Sequence, residues 1–250
     1  MSPAKLEIAD LALCNTVCEE IYRQRPRWRM RRLNDRRPFY TLGSASYLDL
    51  GFGGGSLDRY LGDAGSLWSW AGEALRTVME RTRAKLAEHL DGPVEYAPEL
   101  PSPGFHIFIG AAIPTTDCPR SAEDCASCHF DTQHDLIPWE RWYTAVDLRD
   151  TISFTLPLKL PAEGAGLMLW ESLDLDQMRE HLAAKRFADL PSAAQVTPST
   201  TIPYAAGRLV LHNGHVLHQM VGVPRLVVTD ERITLQGHGV FADAAWRLYW

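Results

Sequence analysis

Cys128-His129-Phe130-Asp131 and, further along, Gly207-Arg208-Leu209-Val210-Leu211-His212-Asn213-Gly214-His215-Val216-Leu217-His218 are the two stretches that decide how this chain folds. His129 and Asp131 stand two apart, so on a strand their side chains leave the same face. The second stretch carries apolar strand residues, an Asn-Gly turn signal and three histidines, His212, His215 and His218. One imidazole from a distant strand would complete a set of two histidines and one carboxylate. Such a facial set holds non-haem Fe(II) and leaves open positions on the metal.

Arg232-Ile233-Thr234 extends the pattern. The ordered series His129-x-Asp131, Gly207 to Leu211, His218, then Arg232-x-Thr234 resembles the 2-oxoglutarate/Fe(II)-dependent dioxygenase superfamily, in its prolyl-hydroxylase-like or small-molecule hydroxylase branch. The likeness runs from about residue 104 to 241. It implies a double-stranded β-helix, the cupin-like jelly roll, with His129, Asp131 and His218 as metal ligands and catalytic centre. His215 is the second choice for the distal histidine, and His212 stands where a pocket wall is expected. The resemblance also makes Arg232 the anchor of the 2-oxoglutarate carboxylate, since a guanidinium fork matches a carboxylate with two parallel hydrogen bonds. Thr234 would add a hydroxyl to the same carboxylate, and Arg225 is the fallback anchor. The implied cofactors are Fe(II), 2-oxoglutarate as co-substrate and O2. The implied reaction hydroxylates an unactivated C–H of a small molecule, such as an amino acid or natural-product intermediate, releasing succinate and carbon dioxide. Halogenating relatives have Gly or Ala at the carboxylate position, so Asp131 favours hydroxylation or another oxidative outcome such as desaturation or ring closure. A cupin-like metal-binding protein without turnover and an oxygenase for a peptide or carrier-bound substrate are the alternatives.

Two rival readings use the cysteines. Cys125-Ala126-Ser127-Cys128-His129 matches the c-type haem attachment signature, but neither a leader segment nor a small-cytochrome helix pattern accompanies it. Cys118, Cys125 and Cys128 with His129 or His134 could hold structural zinc, but a second C-x2-C or His pair is missing. Free thiols in a loop beside the metal are the simpler reading.

Composition is that of a globular protein: 250 residues, 46% hydrophobic, 22% charged. One domain over residues 1–250 is expected, with 1–100 as N-terminal helical support and 104–241 as the jelly-roll core. No apolar run nears the roughly 18 residues of a membrane span, and Met1 to Asp10 lacks a basic and apolar leader pattern. Five cysteines in that context point to reduced thiols and a cytoplasmic protein. A net charge of −6 argues against a globally basic nucleic-acid binder. Residues 23–37 hold eight Arg and one Asp, which reads as a solvated basic face or as a docking site for an anionic substrate or carrier.

In chain order, Ala9 to Arg25 reads as a helix ended by Pro26. The alternating arginines 23 to 31 read as an edge strand, and Phe39 to Leu50 as strand and turn. Gly51 to Ser56 fails the dinucleotide fingerprint, since Ser56 occupies the sixth position, and reads as a loop. Ala64 to Leu90 has a long amphipathic pattern, stopped by Asp91-Gly92-Pro93. Strands are expected at Phe105–Ile109, Arg149–Leu160, Leu167–Trp170, Gly207–Leu211, Leu217–Val223, Leu226–Val228, Ile233–Leu235 and Val240–Phe241, with helix at 174–187. His106, Phe108, Trp170, Tyr204 and His212 are candidate pocket residues.

Overall fold

A computed structural model describes residues 1–32, 38–51, 55–113, 128–184, 189–225 and 227–250. In chain order the strands are β1 (Ala4–Glu7), β2 (Arg29–Arg31), β3 (Phe39–Leu42), β4 (Val94–Tyr96), β5 (Gly104–Ile109), β6 (Val146–Lys159), β7 (Gly166–Asp174), β8 (Thr200–Pro203), β9 (Arg208–Asn213), β10 (Val216–Val221), β11 (Glu231–Ala242) and β12 (Ala245–Tyr249). The helices are α1 (Leu11–Arg23), α2 (Ser46–Asp49), α3 (Leu57–Leu61), α4 (Glu73–His89), α5 (Leu175–Ala183) and α6 (Leu190–Val196). The architecture is a mainly β jelly roll with flanking helices. A major sheet runs β1-β9-β6-β11-β5-β3-β2, with β12 and β4 continuing from β11, and a minor sheet runs β10-β7-β8.

Period-two alternation gives the major sheet two chemically distinct faces. Ile152, Phe154, Leu156 and Leu158 of β6, Leu209 and Leu211 of β9, Ile233 and Leu235 of β11, and Phe105 and Ile107 of β5 point to one side. There they form the main core with Cys14, Val17 and Ile21 of α1 and Leu75, Val78, Met79 and Leu86 of α4. The intervening residues face the minor sheet and are largely polar: Ser153, Thr155, His212, Arg232, Thr234 and His106 are all buried. A sheet backed by helices on its apolar face can therefore commit its other face to a site.

α1 begins where Asp10 accepts a hydrogen bond from Leu13 N at 2.8 Å, and its Cys14, Cys18 and Ile21 share the buried stripe. The helix expected over Ala64–Leu90 is instead interrupted. A short 3-10 turn covers Leu67–Ser69 and α4 starts at Glu73. The buried Glu20 carboxylate explains the restart, because it accepts from the N–H groups of Gly72, Ala74 and Leu75 and so supplies the N-terminal cap.

Other differences follow from tertiary pairing. The N-terminal hundred residues contribute strands β1 to β4 as well as helices. Of the alternating arginines only Arg29–Arg31 form a strand, at the sheet edge, because Pro26 holds Arg25–Arg27 in a 3-10 turn. Arg31 makes a two-pronged contact with Asp49 at 2.9 and 2.7 Å, and Arg29 pairs with Asp63. These two cations are thus neutralised inside the fold; residues 33–37 lie outside the described residues. Phe39–Leu50 is strand β3 followed by α2. The segments expected as two strands, Ile233–Leu235 and Val240–Phe241, are one strand of twelve residues, because Gly237 and Gly239 leave room for Phe154 and Ile152 across the ladder instead of breaking it. Of the strand expected at Leu226–Val228, Leu226 lies outside the described residues, and Val227 and Val228 form a turn closed by Val227 N to Asp230 Oδ2 at 2.9 Å. The Gly51–Ser56 loop lies partly outside the described residues. No helix among the described residues is long and apolar enough to cross a membrane.

Candidate metal and carboxylate site

The short segment around His129 lies beside β10. His129 N donates to His218 O at 2.9 Å and His218 N donates to His129 O at 3.0 Å. Two residues on, Asp131 N donates to Gly214 O at 2.9 Å. These bonds hold His129, Asp131 and His218 on one face, between the two sheets. Phe130, alternating outward, joins the cluster of Trp170, Leu173, Met178 and Leu217 behind the minor sheet.

The ligand-capable atoms of His129, Asp131 and His218 lie within 4.8 Å of one another, the one such group of three among the described residues. His129 Nε2 is 3.7 Å from Asp131 Oδ1, and His218 Nε2 is 3.4 Å from Asp131 Oδ2. His218 Nδ1 is 2.8 Å from Val216 O. A carbonyl can only accept, so Nδ1 carries a proton; Nε2 faces Asp131, to which it donates when the ring is charged, and it is the nitrogen left to meet a metal once that proton is gone. Burial would depress the His218 pKa, but the Asp131 carboxylate outweighs it and the pKa is raised. Burial would raise Asp131, but His218, His238 and His129 together hold it well below the usual carboxylate range. Two imidazoles and a carboxylate of this kind fit a divalent first-row metal.

The other histidines do different work. The His212 ring packs on His218 at 4.5 Å between centroids, and its Nδ1 is 3.0 Å from Asn213 O. Burial, then the nearby His218, pushes its pKa down to about 3. His215 is turned away from the triad toward His134, with Nε2 atoms 3.4 Å apart.

Arg232 and Thr234 project from β11 onto the same inner face. Arg232 is fully buried, and its Nε and Nη1 have no hydrogen-bond partner. Phe108 and Tyr204 cover the guanidinium, with Cζ 5.6 and 5.4 Å from their ring centroids, and Tyr204 also shares a hydrogen bond with it. Thr234 is buried, and its Oγ1 lies 3.4 Å from Gln236 Nε2. A buried cation with two nitrogens unpaired by the chain, between aromatic faces, can accept an anion as partner. Arg225 is exposed on a turn.

His106 pairs across the ladder with Thr234 and meets the Tyr47 hydroxyl at 2.7 Å. Burial, then Arg232, lowers its pKa to about 3. Of the candidate pocket residues, Trp170 is the exception. It lies on the outer face of the minor sheet, donating from Nε1 to Ala194 O at 3.0 Å, because strand alternation puts Leu169 inward beside His218. Cys118 and Cys125 lie outside the described residues, so the haem and zinc readings fall there; Cys128 is half-buried beside the outer cluster.

Ser153, His238, Gln236 and Tyr47 were not singled out in the sequence. A signal existed: Thr151, Ser153 and Thr155 alternate with Ile152, Phe154 and Leu156, and Arg232, Thr234, Gln236 and His238 share one parity.

No family model and no curated protein matches the sequence. Solved structures share the fold. AviO1 from Streptomyces viridochromogenes Tue57 is 13% identical, over 96% of this chain and 89% of that one, with a TM-score of 0.53. The non-haem α-ketoglutarate-dependent carbocyclase SnoK from nogalamycin biosynthesis is 10% identical, over 97% and 82%, also at 0.53. The epimerase SnoN, in complex with Fe3+, α-ketoglutarate and nogalamycin RO, is 14% identical, over 98% and 81%, at 0.50.

Proposed function

We propose that this chain is a non-haem Fe(II), 2-oxoglutarate-dependent oxygenase of the dioxygenase superfamily, acting on a small molecule. His129, Asp131 and His218 are the metal ligands, and Arg232, with Thr234 beside it, binds the distal carboxylate of 2-oxoglutarate. The observation that carries this reading is the buried Arg232, with two nitrogens that no group of the chain pairs, on the sheet face that looks toward the His129, Asp131 and His218 cluster. A metal site alone would fit any cupin; a metal site facing an unsatisfied buried guanidinium calls for a metal-binding dicarboxylate.

When bound, iron with 2-oxoglutarate and O2 supplies an oxidant that removes hydrogen from an unactivated C–H, with succinate and carbon dioxide released. The protein's share is geometric and electrostatic. His218 offers a bare Nε2 because Val216 O holds its other nitrogen's proton. Arg232 neutralises the co-substrate where water cannot compete. Phe108 and Tyr204 keep that guanidinium in place.

Hydroxylation of the substrate is the outcome we favour. The named activities of SnoK and SnoN, carbocyclisation and epimerisation, give ring closure or inversion as the second reading. The test is a substrate screen read by succinate release and product mass. Hydroxylation adds one oxygen atom, ring closure removes two hydrogens, and epimerisation leaves the mass unchanged. Succinate release that persists in Asp131→Ala would remove Asp131 from the ligand set, and release that is undetectable across the screen with Fe(II) bound would count against an oxygenase.

A further inference from the structure

Asp131 is held by more than its backbone. Ser153 Oγ lies 2.6 Å from Asp131 Oδ2, and His238 Nδ1 lies 3.0 Å from the same Ser153 Oγ. Ser153 and His238 are directly opposed across the β6–β11 ladder, so their relative position is set by the major sheet itself. Asp131 belongs to the segment hydrogen-bonded to β10 of the minor sheet. The contact therefore spans the sandwich.

The direction of these bonds is forced. A ligating carboxylate only accepts, so the Ser153 hydroxyl must donate to Oδ2. The serine has then spent its one proton, and its oxygen can only accept from His238, whose Nδ1 must carry hydrogen. The result is a one-way series: His238 N–H to Ser153 oxygen, Ser153 O–H to Asp131 carboxylate. With one Oδ2 lone pair engaged, rotation of the carboxylate is fixed. Oδ1 then stays near His129 Nε2 at 3.7 Å, and Oδ2 near His218 Nε2 at 3.4 Å.

We propose that Ser153 and His238 are positioning residues for the metal, holding Asp131 in its ligating orientation through this directional pair of hydrogen bonds. The proposal rests on the reading of His129, Asp131 and His218 as the metal site. Outer partners that orient a ligating carboxylate typically change metal affinity 10–100-fold when removed.

The experiment is anaerobic titration calorimetry of metal-free protein with Fe(II) alone, paired with thermal unfolding of the metal-free protein. Four variants are compared with the wild type: Ser153→Ala, His238→Phe, His238→Asn and His218→Ala. His238→Asn keeps an N–H at the Nδ1 position, whereas His238→Phe removes it. The expected result is an affinity loss of about 10-fold or more in Ser153→Ala and His238→Phe, substantial recovery in His238→Asn, and near-wild-type unfolding of each metal-free variant. A purely packing role would move the unfolding midpoint and leave metal affinity in step with folded fraction. Wild-type affinity in Ser153→Ala and His238→Phe, with binding lost in His218→Ala, overturns the positioning role and leaves the metal site standing. Wild-type affinity in His218→Ala removes the metal site, and this proposal with it. If Ser153→Ala does not fold, the two His238 variants decide the matter: equal affinities for Phe and Asn refute the proposal.

Discussion

Replacing Arg232 with methionine tests the carboxylate anchor through stability, independently of any substrate. Arg232 Nε and Nη1 are buried with no hydrogen-bond partner from the chain itself. Where neither ligand nor water satisfies it, each such nitrogen costs about 1–3 kcal/mol, so together they cost the ligand-free protein at most about 2–6 kcal/mol. Against this stand the ring contacts with Phe108 and Tyr204, at about 0.5–2 kcal/mol each, and the Tyr204 hydrogen bond, at about 1.5–3 kcal/mol. Methionine has a similar length, fills the slot with apolar volume and brings no unpaired donor. The two sides nearly cancel, so ligand-free Arg232→Met is predicted to melt close to wild type. Ligand response should go the other way. With Mn(II) present and 2-oxoglutarate at about 100 times its Kd, the wild type gains about 2.7 kcal/mol. For a chain of this size that is about 5–10 °C in Tm. Arg232→Met should gain almost none of it. Differential scanning fluorimetry with and without 2-oxoglutarate reads both effects. An empty variant that melts more than about 5 °C below wild type, or one that keeps the full 2-oxoglutarate shift, would refute the assignment of Arg232 as an unsatisfied anchor.

Three further outcomes are expected. Gly214→Ala would place a Cβ 2.8 Å from Thr151 Oγ1, 3.0 Å from Ser153 Oγ and 3.3 Å from Asp131 Cβ. It should weaken Fe(II) binding by about 10-fold or more, and unchanged binding in calorimetry would show that Asp131 tolerates the crowding. Glu20→Ala removes the acceptor for three N–H groups at the start of α4; denaturant unfolding should record a loss of about 1–3 kcal/mol, and a loss below about 0.5 kcal/mol would contradict the capping role. His106 has its pKa lowered to about 3, below the roughly 6.5 of an unfolded histidine. Between those values the unfolded chain binds a proton that the native protein does not, so stability is lost as pH falls from about 6.5 toward 3, by up to about 1.4 kcal/mol per pH unit. His106→Gln should flatten that slope in the metal-free protein, and an identical slope would mean His106 does not carry it.

Much of the candidate site was legible because its residues sit on strands or, for His129 and Asp131, on an extended segment bridged to one. In extended backbone a period of two puts His129 with Asp131 and Arg232 with Thr234, and the Asn213-Gly214 turn gives His218 its place on a returning strand. The helices and polar face were harder for physical reasons. The interruption before α4 depends on Glu20, more than fifty residues away in sequence, which no local pattern reveals. Gly237 and Gly239 look like breaks until Phe154 and Ile152 are seen to fill their space. Trp170 reads as an aromatic pocket wall, yet its inward or outward direction depends on a register that only the pairing of Leu169 with His218 fixes. The parity of Ser153 and His238 places each on the polar face of its strand, but their pairing depends on the β6–β11 register. The arginine-rich segment misleads in the opposite direction: Arg29 and Arg31 find their anions, Asp63 and Asp49, within the fold, and so their charge does not appear as free basic surface.

The most direct test of the central claim is anaerobic absorption spectroscopy of the metal-free protein given Fe(II) and then 2-oxoglutarate. The account predicts a weak metal-to-ligand charge-transfer band that requires both additions, vanishes in His218→Ala, and needs more 2-oxoglutarate to appear in Arg232→Met. Fe(II) and 2-oxoglutarate together producing no band in the wild type, or the same band surviving in His218→Ala, would contradict it.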